Sequence, residues 1–477
     1  MSVNIDIFNT HIEVYPYKQF DQIWLEKIYT AHDKFKDVDY ACGYIIDNGK
    51  LYVPRGTPVS KLEILTDSKA NEVTESDPVV PMSRSHSSYF EPRDKLQMDS
   101  IDFLKSEGHQ FGLNLLMGKG KTFCVAYAST ELSVRTLIIT PNDGIKMQWI
   151  KTYTEMFDYR PKDVINIAGS EVMDAILEGS CHEADVYIVN HQTLRSFLSS
   201  RGAYKFREFF AKLGAGIKVY DESHLEFANI LLVDFFSNTE KTWYLTATFD
   251  RSDKTEAVCF KQAFSTVDTF GEIESLETID KHVMYNIVNI NSHISPKNRA
   301  RLCSYPGFSA AKYGKYCIFF DENDTAYKTI LAILNKTTEM EGKTLIFLPL
   351  IEDVDEVVKR LKKDYPAKSV AAYHSKIDKA DKEAAEKKDI IVSTIRSCGT
   401  GKDIKGLRSV ICLEPIVSKL VTKQTIGRLR PYGEGKLTYF WDVVDRSIQQ
   451  LNWWHRSRFK SIQPLVKEVT EINDILG

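Results

Sequence analysis

Paired metal-binding cysteines are missing from this sequence. The eight cysteines, at 42, 124, 181, 259, 303, 317, 398 and 412, form no CxxC pair and have no histidine at metal-ligand spacing. That excludes the common zinc modules and leaves free thiols in a reducing compartment as the expectation. Long apolar runs are missing too, since nothing approaches the roughly 18 residues of a membrane span. The start MSVNIDIFNTHIEVY lacks the basic lead and apolar core of a signal peptide, so a cytoplasmic chain is expected. Nor does charge of one sign dominate: 62 Lys and Arg stand against 65 Asp and Glu. This excludes a histone-like binder held by bulk charge, although a basic stripe in one groove is invisible in a whole-chain sum.

What is present is an ordinary globular composition, 43% hydrophobic and 27% charged, over 477 residues, enough for two to four domains. Residues 1–65 read as a small α/β accessory module in which Asn48-Gly49, between short apolar runs, signals a hairpin. Residues 66–89 are rich in Ser, Asp, Glu and Pro without periodicity and read as a linker or long loop. From 90 to 255 short β-branched runs alternate with helical patterns: LNLLM (113–117), TLIIT (136–140), DVYIVN (185–190), IKVYD (217–221) and TWYLTAT (242–248). A second series fills 341–445, with KTLIFLPL from 343, VAAYHS (370–375), DIIVST (389–394), SVICLE (409–414) and LTYFWD (437–442). Nearly continuous apolar strands between helices predict parallel sheets buried on both faces. The fold class is therefore α/β, with two tandem parallel-sheet lobes. Residues 256–340 read as a mixed connection and 446–477 as a C-terminal helical extension.

Two constellations carry chemistry. MGKGKT (117–122) follows a strand and opens a helix: Gly118 and Gly120 let backbone amides face a phosphate, Lys121 reaches the β and γ phosphates, and Thr122 suits Mg²⁺. The full pattern wants Gly or Ala where Leu115 stands, and alone the stretch also suits a flexible Gly-Lys turn. VYDESHLEF places Asp221 and Glu222 after another strand, where ligands sit in such folds. Asp221 suits Mg²⁺ held through water and Glu222 suits proton removal from an attacking water. The bland alternative is an acidic turn capping a helix, but the apolar strand before it delivers both acids to a sheet edge.

DESH (221–224) resembles motif II of the superfamily 2 helicases, and other motifs follow in the family's order. KLQMDSIDFL resembles the Q motif, IITPNDGIKMQW (138–149) motif Ia, VNHQTL (189–194) the strand-contacting motif after it, LTATFDRSD (245–253) motif III, IVSTIRSCGTGKDIKGL (391–407) motif V and QTIGRLR (424–430) motif VI. The resemblance covers about 90–445 and implies two RecA-like lobes, with ATP and Mg²⁺ as cofactors. DESH with TATFDRSD is most similar to the branch of UvsW-type phage recombination helicases and repair-type double-strand DNA translocases. That implies forked, branched or duplex DNA as partner, with RNA second because DEAD and SAT are absent. It also implies a place in recombination, replication or repair, in a host cytoplasm, with proteins of those processes as partners through residues 1–65. A remodeller that never separates strands, and a DNA-binding protein that binds nucleotide without hydrolysing it, remain alternatives.

The resemblance further implies residue roles. Gln97 would read adenine, and Gly118, Lys119, Gly120, Lys121 and Thr122 would cradle the phosphates. Gly401 and Asp403 would face the nucleotide from the second lobe. Catalysis would rest on Lys121, Asp221, Glu222, Gln424, Arg428 and Arg430, with Thr122 and Asp221 at the metal. His224, Thr246 and Thr248 would couple the nucleotide site to the strand, which Thr140, Pro141, Asn142, His191, Gln192, Ser393, Thr394 and Thr400 would touch. In the family pattern QxxGRxxR the second arginine falls on Pro431, so Arg430 is displaced by one residue while Arg428 keeps its place. Finally, WWHRSRFK (453–460) interleaves aromatics with basic residues. It suits base stacking, yet the core of a C-terminal helix is the reading taken for Trp453 and Trp454. VVKRLKKDYP (357–366) reads as a solvated helix face, and His374 as structural.

Overall fold

The computed structural model describes residues 3–476 apart from 18–21, 34–37, 42, 117, 247–253, 273, 275–280, 303–307, 338–339, 399–403 and 432–435. The chain divides into two units, Met1–Glu277 and Thr278–Gly477.

The first unit begins with seven short strands: β1 (Asn4–Ile7), β2 (His11–Tyr15), β3 (Thr30–Asp33), β4 (Val38–Ala41), β5 (Ile45–Asp47), β6 (Lys50–Pro54) and β7 (Ala70–Glu72). Five of them form a sheet in the order β5-β6-β2-β1-β7, and β3 pairs with β4. The Asn48-Gly49 hairpin forms, with both residues at positive φ (47° and 74°) and Asp47 opposite Lys50. Those dihedrals match the twist of the flanking strands, and Asn and Gly reach them most cheaply.

The larger sheet of this unit holds β8 (Gln110–Leu113), β9 (Thr136–Thr140), β10 (Val164–Ile167), β11 (Val186–Asn190), β12 (Ile217–Tyr220), β13 (Lys241–Leu245) and β14 (Asp268–Phe270). Their order is β10-β11-β9-β12-β13-β8-β14, and every pairing is parallel. Leu137 and Ile139 enter one apolar cluster and Ile138 the opposite one, the alternation expected of a strand covered on both faces. The first of these clusters also contains Ile5, Val14 and Leu51, so the N-terminal strands share a core with the large sheet.

The stretch 66–89 is fastened to that sheet. Asp77 N–H donates to Asn238 O, Val80 N–H to Gly214 O, and Ser83 N–H to the Asp185 carboxylate at 2.7 Å. His86 stacks on Tyr159 with ring centroids 3.6 Å apart and bonds Asp185 at 2.7 Å. Because Asn238, Gly214 and Asp185 precede β13, β12 and β11, this strap runs along the N-terminal ends of the strands.

The second unit holds β15 (Val283–Ile290), β16 (Lys343–Phe347), β17 (Val370–Tyr373), β18 (Ile390–Ser393), β19 (Leu407–Cys412), β20 (Thr438–Asp445) and β21 (Glu468–Ile472). The order is β17-β18-β16-β19-β20-β15-β21, again all parallel. The fold is thus two tandem RecA-like parallel-sheet lobes preceded by a small module.

Local differences from the sequence reading have physical reasons. Only Leu113 of LNLLM lies in a strand: β8 runs Gln110–Leu113, Asn114, Leu115 and Leu116 leave the sheet, and Met117 lies outside the described residues. Residues 256–340 supply a strand to each sheet, β14 and β15. Strands β10, β14 and β21 sit at sheet edges, where one missing neighbour weakens the apolar pattern that marks a buried strand. The tryptophan pair splits, Trp454 packing edge-on against Phe308 at 5.1 Å and Trp453 standing 55% exposed.

Candidate active site

The loop after β8 turns into the helix Lys121–Leu132 through Gly118 (φ 83°) and Gly120 (φ 90°), dihedrals that L side chains rarely adopt. A Cβ on Gly120 would stand 2.3 Å from Gln97 Nε2. Gln97 is built into the loop. Its Nε2 donates to Lys119 O at 3.1 Å and its Oε1 accepts from Arg93 N–H at 2.8 Å. Lys121 Nζ donates to Leu115 O at 2.7 Å, and Thr122 is half-buried at the helix start. Leu115, which stands where the phosphate-loop pattern wants a small residue, is fully buried, and a Cβ on Gly271 would meet its Cδ2 at 2.6 Å. Gly271 leaves the space that the Leu115 side chain fills.

The acids come from the end of β12, which lies between β9 and β13. Backbone bonds lace the strand ends together: Asp221 N–H to Ile139 O, Ser223 N–H to Leu245 O and Thr246 N–H to Leu113 O. Asp221 accepts from Trp149 Nε1 at 2.7 Å and from Glu222 N–H at 2.9 Å. Burial raises its pKa, while Trp149 and the Lys121 ammonium pull the other way. Glu222 sits at φ 49°, and burial pushes its carboxyl up to about 7, with Lys121 lowering it and Asp221 raising it. Lys121, Asp221 and Glu222 therefore act on one another electrostatically at one sheet edge. His224 Nδ1 bonds Thr246 Oγ1 at 3.0 Å and lies 3.4 Å from Glu222 Oε2, joining the acid to the end of β13.

A carboxylate anchored on both oxygens, with a hydroxyl at the facing helix start, fits Mg²⁺, a hard cation that keeps several waters and takes few protein ligands. The described residues contain no group of three or more acidic, His or Cys side chains that could hold a metal by themselves.

The strand-contact candidates divide by exposure. The Thr140 hydroxyl is fully buried and bonds Asn142 O at 3.3 Å and Val189 O at 3.4 Å. His191 is buried against Tyr220, and burial holds its pKa down at about 3. Both side chains face the protein, leaving the half-buried Pro141 and Asn142 and the exposed Gln192 at that edge. Asn142 caps the helix Asp143–Met156 through Ile145 N–H.

In the second unit, Ser393 ends β18 and Thr394 follows it. The Ser393 hydroxyl donates to Tyr373 O at 2.6 Å, and Thr394 Oγ1 donates to Ser397 Oγ at 2.9 Å. Beside them the sequence reading overlooked Glu414, which accepts from Ile395 N–H at 2.7 Å, and Asp353, which accepts from Leu350 N–H at 3.1 Å. Burial pushes each carboxyl up to about 7. The helix Lys419–Ile426 carries Gln424, and Arg428 follows it, both buried; Arg430 is half-exposed beyond the buried Leu429. His374 pairs with Asp355 at 3.0 Å, a structural role. Thr248, Thr400, Gly401 and Asp403 lie outside the described residues.

Trp149 is a further side chain at this site that sequence reasoning missed. It closes the motif Ia stretch, but nothing in a lone helical tryptophan announces an indole N–H aimed at a carboxylate 72 residues away.

The family model described as the res subunit of type III restriction enzymes matches residues 91–251, and the helicase conserved C-terminal domain matches 325–431. The first match takes in Gln97, Lys121 and Asp221, the second Ser393, Gln424 and Arg428. The chain belongs to the superfamily 2 helicases. As such an enzyme it binds and hydrolyses ATP. Among solved structures, this helicase resembles S. cerevisiae Dbp5 bound to RNA and ADP BeF3, at 13% identity and a TM-score of 0.56, over 81% of this chain and 90% of that one. It resembles the ATP-dependent type ISP restriction-modification enzyme LlaBIII bound to DNA at 15% identity and a TM-score of 0.52, over 80% of this chain and 31% of that one. T4 UvsW aligns over 99% of this chain and 100% of its own at 16% identity, with a TM-score of 0.36. No curated protein sequence matches the chain. No helix among the described residues is long and apolar enough to cross a membrane.

Proposed function

We propose that this helicase couples ATP hydrolysis to movement along duplex or branched DNA. The observation that carries the reading is the Lys121, Asp221 and Glu222 cluster at the C-terminal ends of β8 and β12, since nucleotide binding alone needs no buried base. A carboxyl near neutrality is well matched to taking a proton from water at working pH. Thr122 and Asp221 are assigned to Mg²⁺, which when bound with ATP neutralises charge on the β and γ phosphate oxygens. Lys121 leaves the Leu115 carbonyl for those phosphates, and the Gln97 amide, already set against the loop, reads the adenine. Arg428, which keeps the family position, takes the transition-state charge. His224 and Thr246 carry the state of the nucleotide from β12 to β13.

DNA is chosen over RNA because the first lobe matches a restriction-enzyme subunit and because DESH and TAT replace the DEAD and SAT of RNA helicases. Recombination, replication or repair, with proteins of those processes docking on residues 1–65, follows from the same resemblance. The deciding experiment is ATPase rate against single-stranded, duplex, forked and four-way DNA and against RNA. Stimulation by duplex or branched DNA above RNA is expected. A flat response would overturn the motor, and stimulation by RNA alone would overturn the choice of DNA.

A further inference from the structure

The C-terminal helix Gln449–Ile462 is held by one face only. Leu451, His455, Arg458 and Ile462 are buried, and Arg458 grips Asp442 Oδ1 and Oδ2 at 2.5 and 2.6 Å while His455 bonds the same carboxylate at 3.0 Å. The inner face therefore accounts for the helix's docking. On the outer face Gln449, Trp453, Arg456, Ser457 and Lys460 are exposed, a spacing of three and four residues that puts them in one row. Trp453 is the one tryptophan among the described residues with an exposed side chain, at 55%. A lone exposed apolar side chain is ordinary; what sets this one apart is the row of basic side chains beside it.

Beside Trp453 runs a cleft of about 220 Å³, lined also by Arg299, Leu302, Ile448 and Gln450. Arg299 is set over it by bonds to Ser447 O at 3.2 Å and Ser292 O at 3.4 Å. The helix Pro296–Leu302 that carries Arg299 adds exposed Lys297 and Arg301. The lining holds no acid, and Asp445, which Ser447 bonds from the cleft wall, is buried and also accepts from Ser292. A shallow depression with Arg456 and Lys460 on its rim flanks the helix further along. The cleft follows the C-terminal ends of β15 and β20, the same strand edge from which Ser393 and Thr394 emerge after β18.

We propose that this row is a second contact for single-stranded DNA on the second lobe: Trp453 stacks on one unpaired base, and Arg299, Arg456 and Lys460 meet the flanking phosphates. An aromatic face accepts any base, and mobile cations follow a backbone without reading sequence. The inference rests on the DNA reading above and deepens it, because a strand crossing the Ser393 edge continues toward Trp453.

The test is equilibrium binding of a fluorescein-labelled oligo(dT), with oligo(rU) in parallel, to the full chain without nucleotide. Loss of one stacked base predicts that Trp453→Ala weakens oligo(dT) binding about ten- to hundred-fold. Trp453→Phe keeps a ring and is expected within a few-fold of the parent. Arg456→Ala with Lys460→Ala lowers the slope of log affinity against log salt by about 1.4. DNA-independent ATPase rate and thermal midpoint stay unchanged in all three. Parental binding by Trp453→Ala overturns this inference while leaving the DNA motor standing. Equal loss in the Ala and Phe variants with a lowered thermal midpoint also overturns it, as a packing role. Tight oligo(rU) binding without oligo(dT) binding overturns both this inference and the choice of DNA.

Discussion

Replacing Glu222 by glutamine should make the enzyme slower and sturdier at once, in a pH-dependent way. Burial lifts this carboxyl from the ordinary 4.5 to about 7, and the opposing pull of Lys121 is already inside that value. Below about pH 4.5 the group is protonated in both folded and unfolded chains, and the folded state keeps its full advantage. As pH rises through 7 the buried group must ionise, and the advantage is lost. At 1.36 kcal/mol per unit the loss at high pH is about 3 kcal/mol. Glutamine mimics the protonated acid at every pH, so Glu222→Gln should match the parent at pH 5 and exceed it at pH 8.5. For a unit of this size that is a rise in melting temperature of roughly 5–10 °C, read by thermal denaturation of the nucleotide-free chain. ATP turnover should fall by about 10²–10⁴ as the base is lost. A melting difference that does not grow between pH 5 and 8.5 would refute the buried-base assignment.

Trp149→Phe removes the indole N–H from the Asp221 carboxylate; a lost bond to a charged group costs about 1.5–3 kcal/mol, so the Mg²⁺ concentration for half-maximal ATPase should rise about tenfold or more, and an unshifted titration would exclude the role. Gly120→Ala strains a φ of 90° and drives a Cβ toward Gln97 Nε2; the left-handed backbone alone costs about 1–2 kcal/mol, and nucleotide affinity in a fluorescent-analogue assay should drop at least tenfold. Arg458→Met leaves Asp442 buried with His455 and Tyr285 but without its guanidinium partner, and breaking a buried pair costs up to about 3–5 kcal/mol, which should lower the urea midpoint of the second unit. Burial alone would raise the Asp442 pKa, but Arg458 and His455 hold it well below the usual carboxylate range, so the parental pair stabilises above the ordinary carboxylate pKa and the deficit should shrink as pH falls through the folded value. Arg428→Ala should abolish turnover with nucleotide binding retained, and Arg430→Ala should separate the displaced arginine from it; full activity in both would remove the pair from catalysis.

The motif chemistry was legible because each motif is local. Gly118, Gly120, Lys121 and Thr122 are consecutive or nearly so, and the strand before and helix after them follow from residue pattern. The same holds for Asp221 and Glu222 at the end of an apolar run, and for the Asn48-Gly49 hairpin. Edge strands such as β10 and β21 escaped because their pattern is that of a half-covered surface. The Trp149 bond and the close approach of Gly271 to Leu115 escaped because each is a contact between residues remote in sequence. Thr140 and Ser393 end strands in strand-contact motifs, yet their side chains turn inward, a choice of face that one residue of register decides; His191 opens the helix after β11 and is likewise buried.

By itself the sequence determined the two α/β lobes and placed the Gly118 to Thr122 turn before a helix and the acidic pair after a strand, since these depend on periodicity and on neighbours a few residues apart. Only the tertiary structure decided that the segment after residue 76 is a strap along the strand starts. It also decided that Asp221 leans on an indole, and that of two adjacent tryptophans one is core and the other is offered to solvent. Those outcomes turn on which surfaces meet, and burial and pKa follow from that meeting rather than from the residues alone.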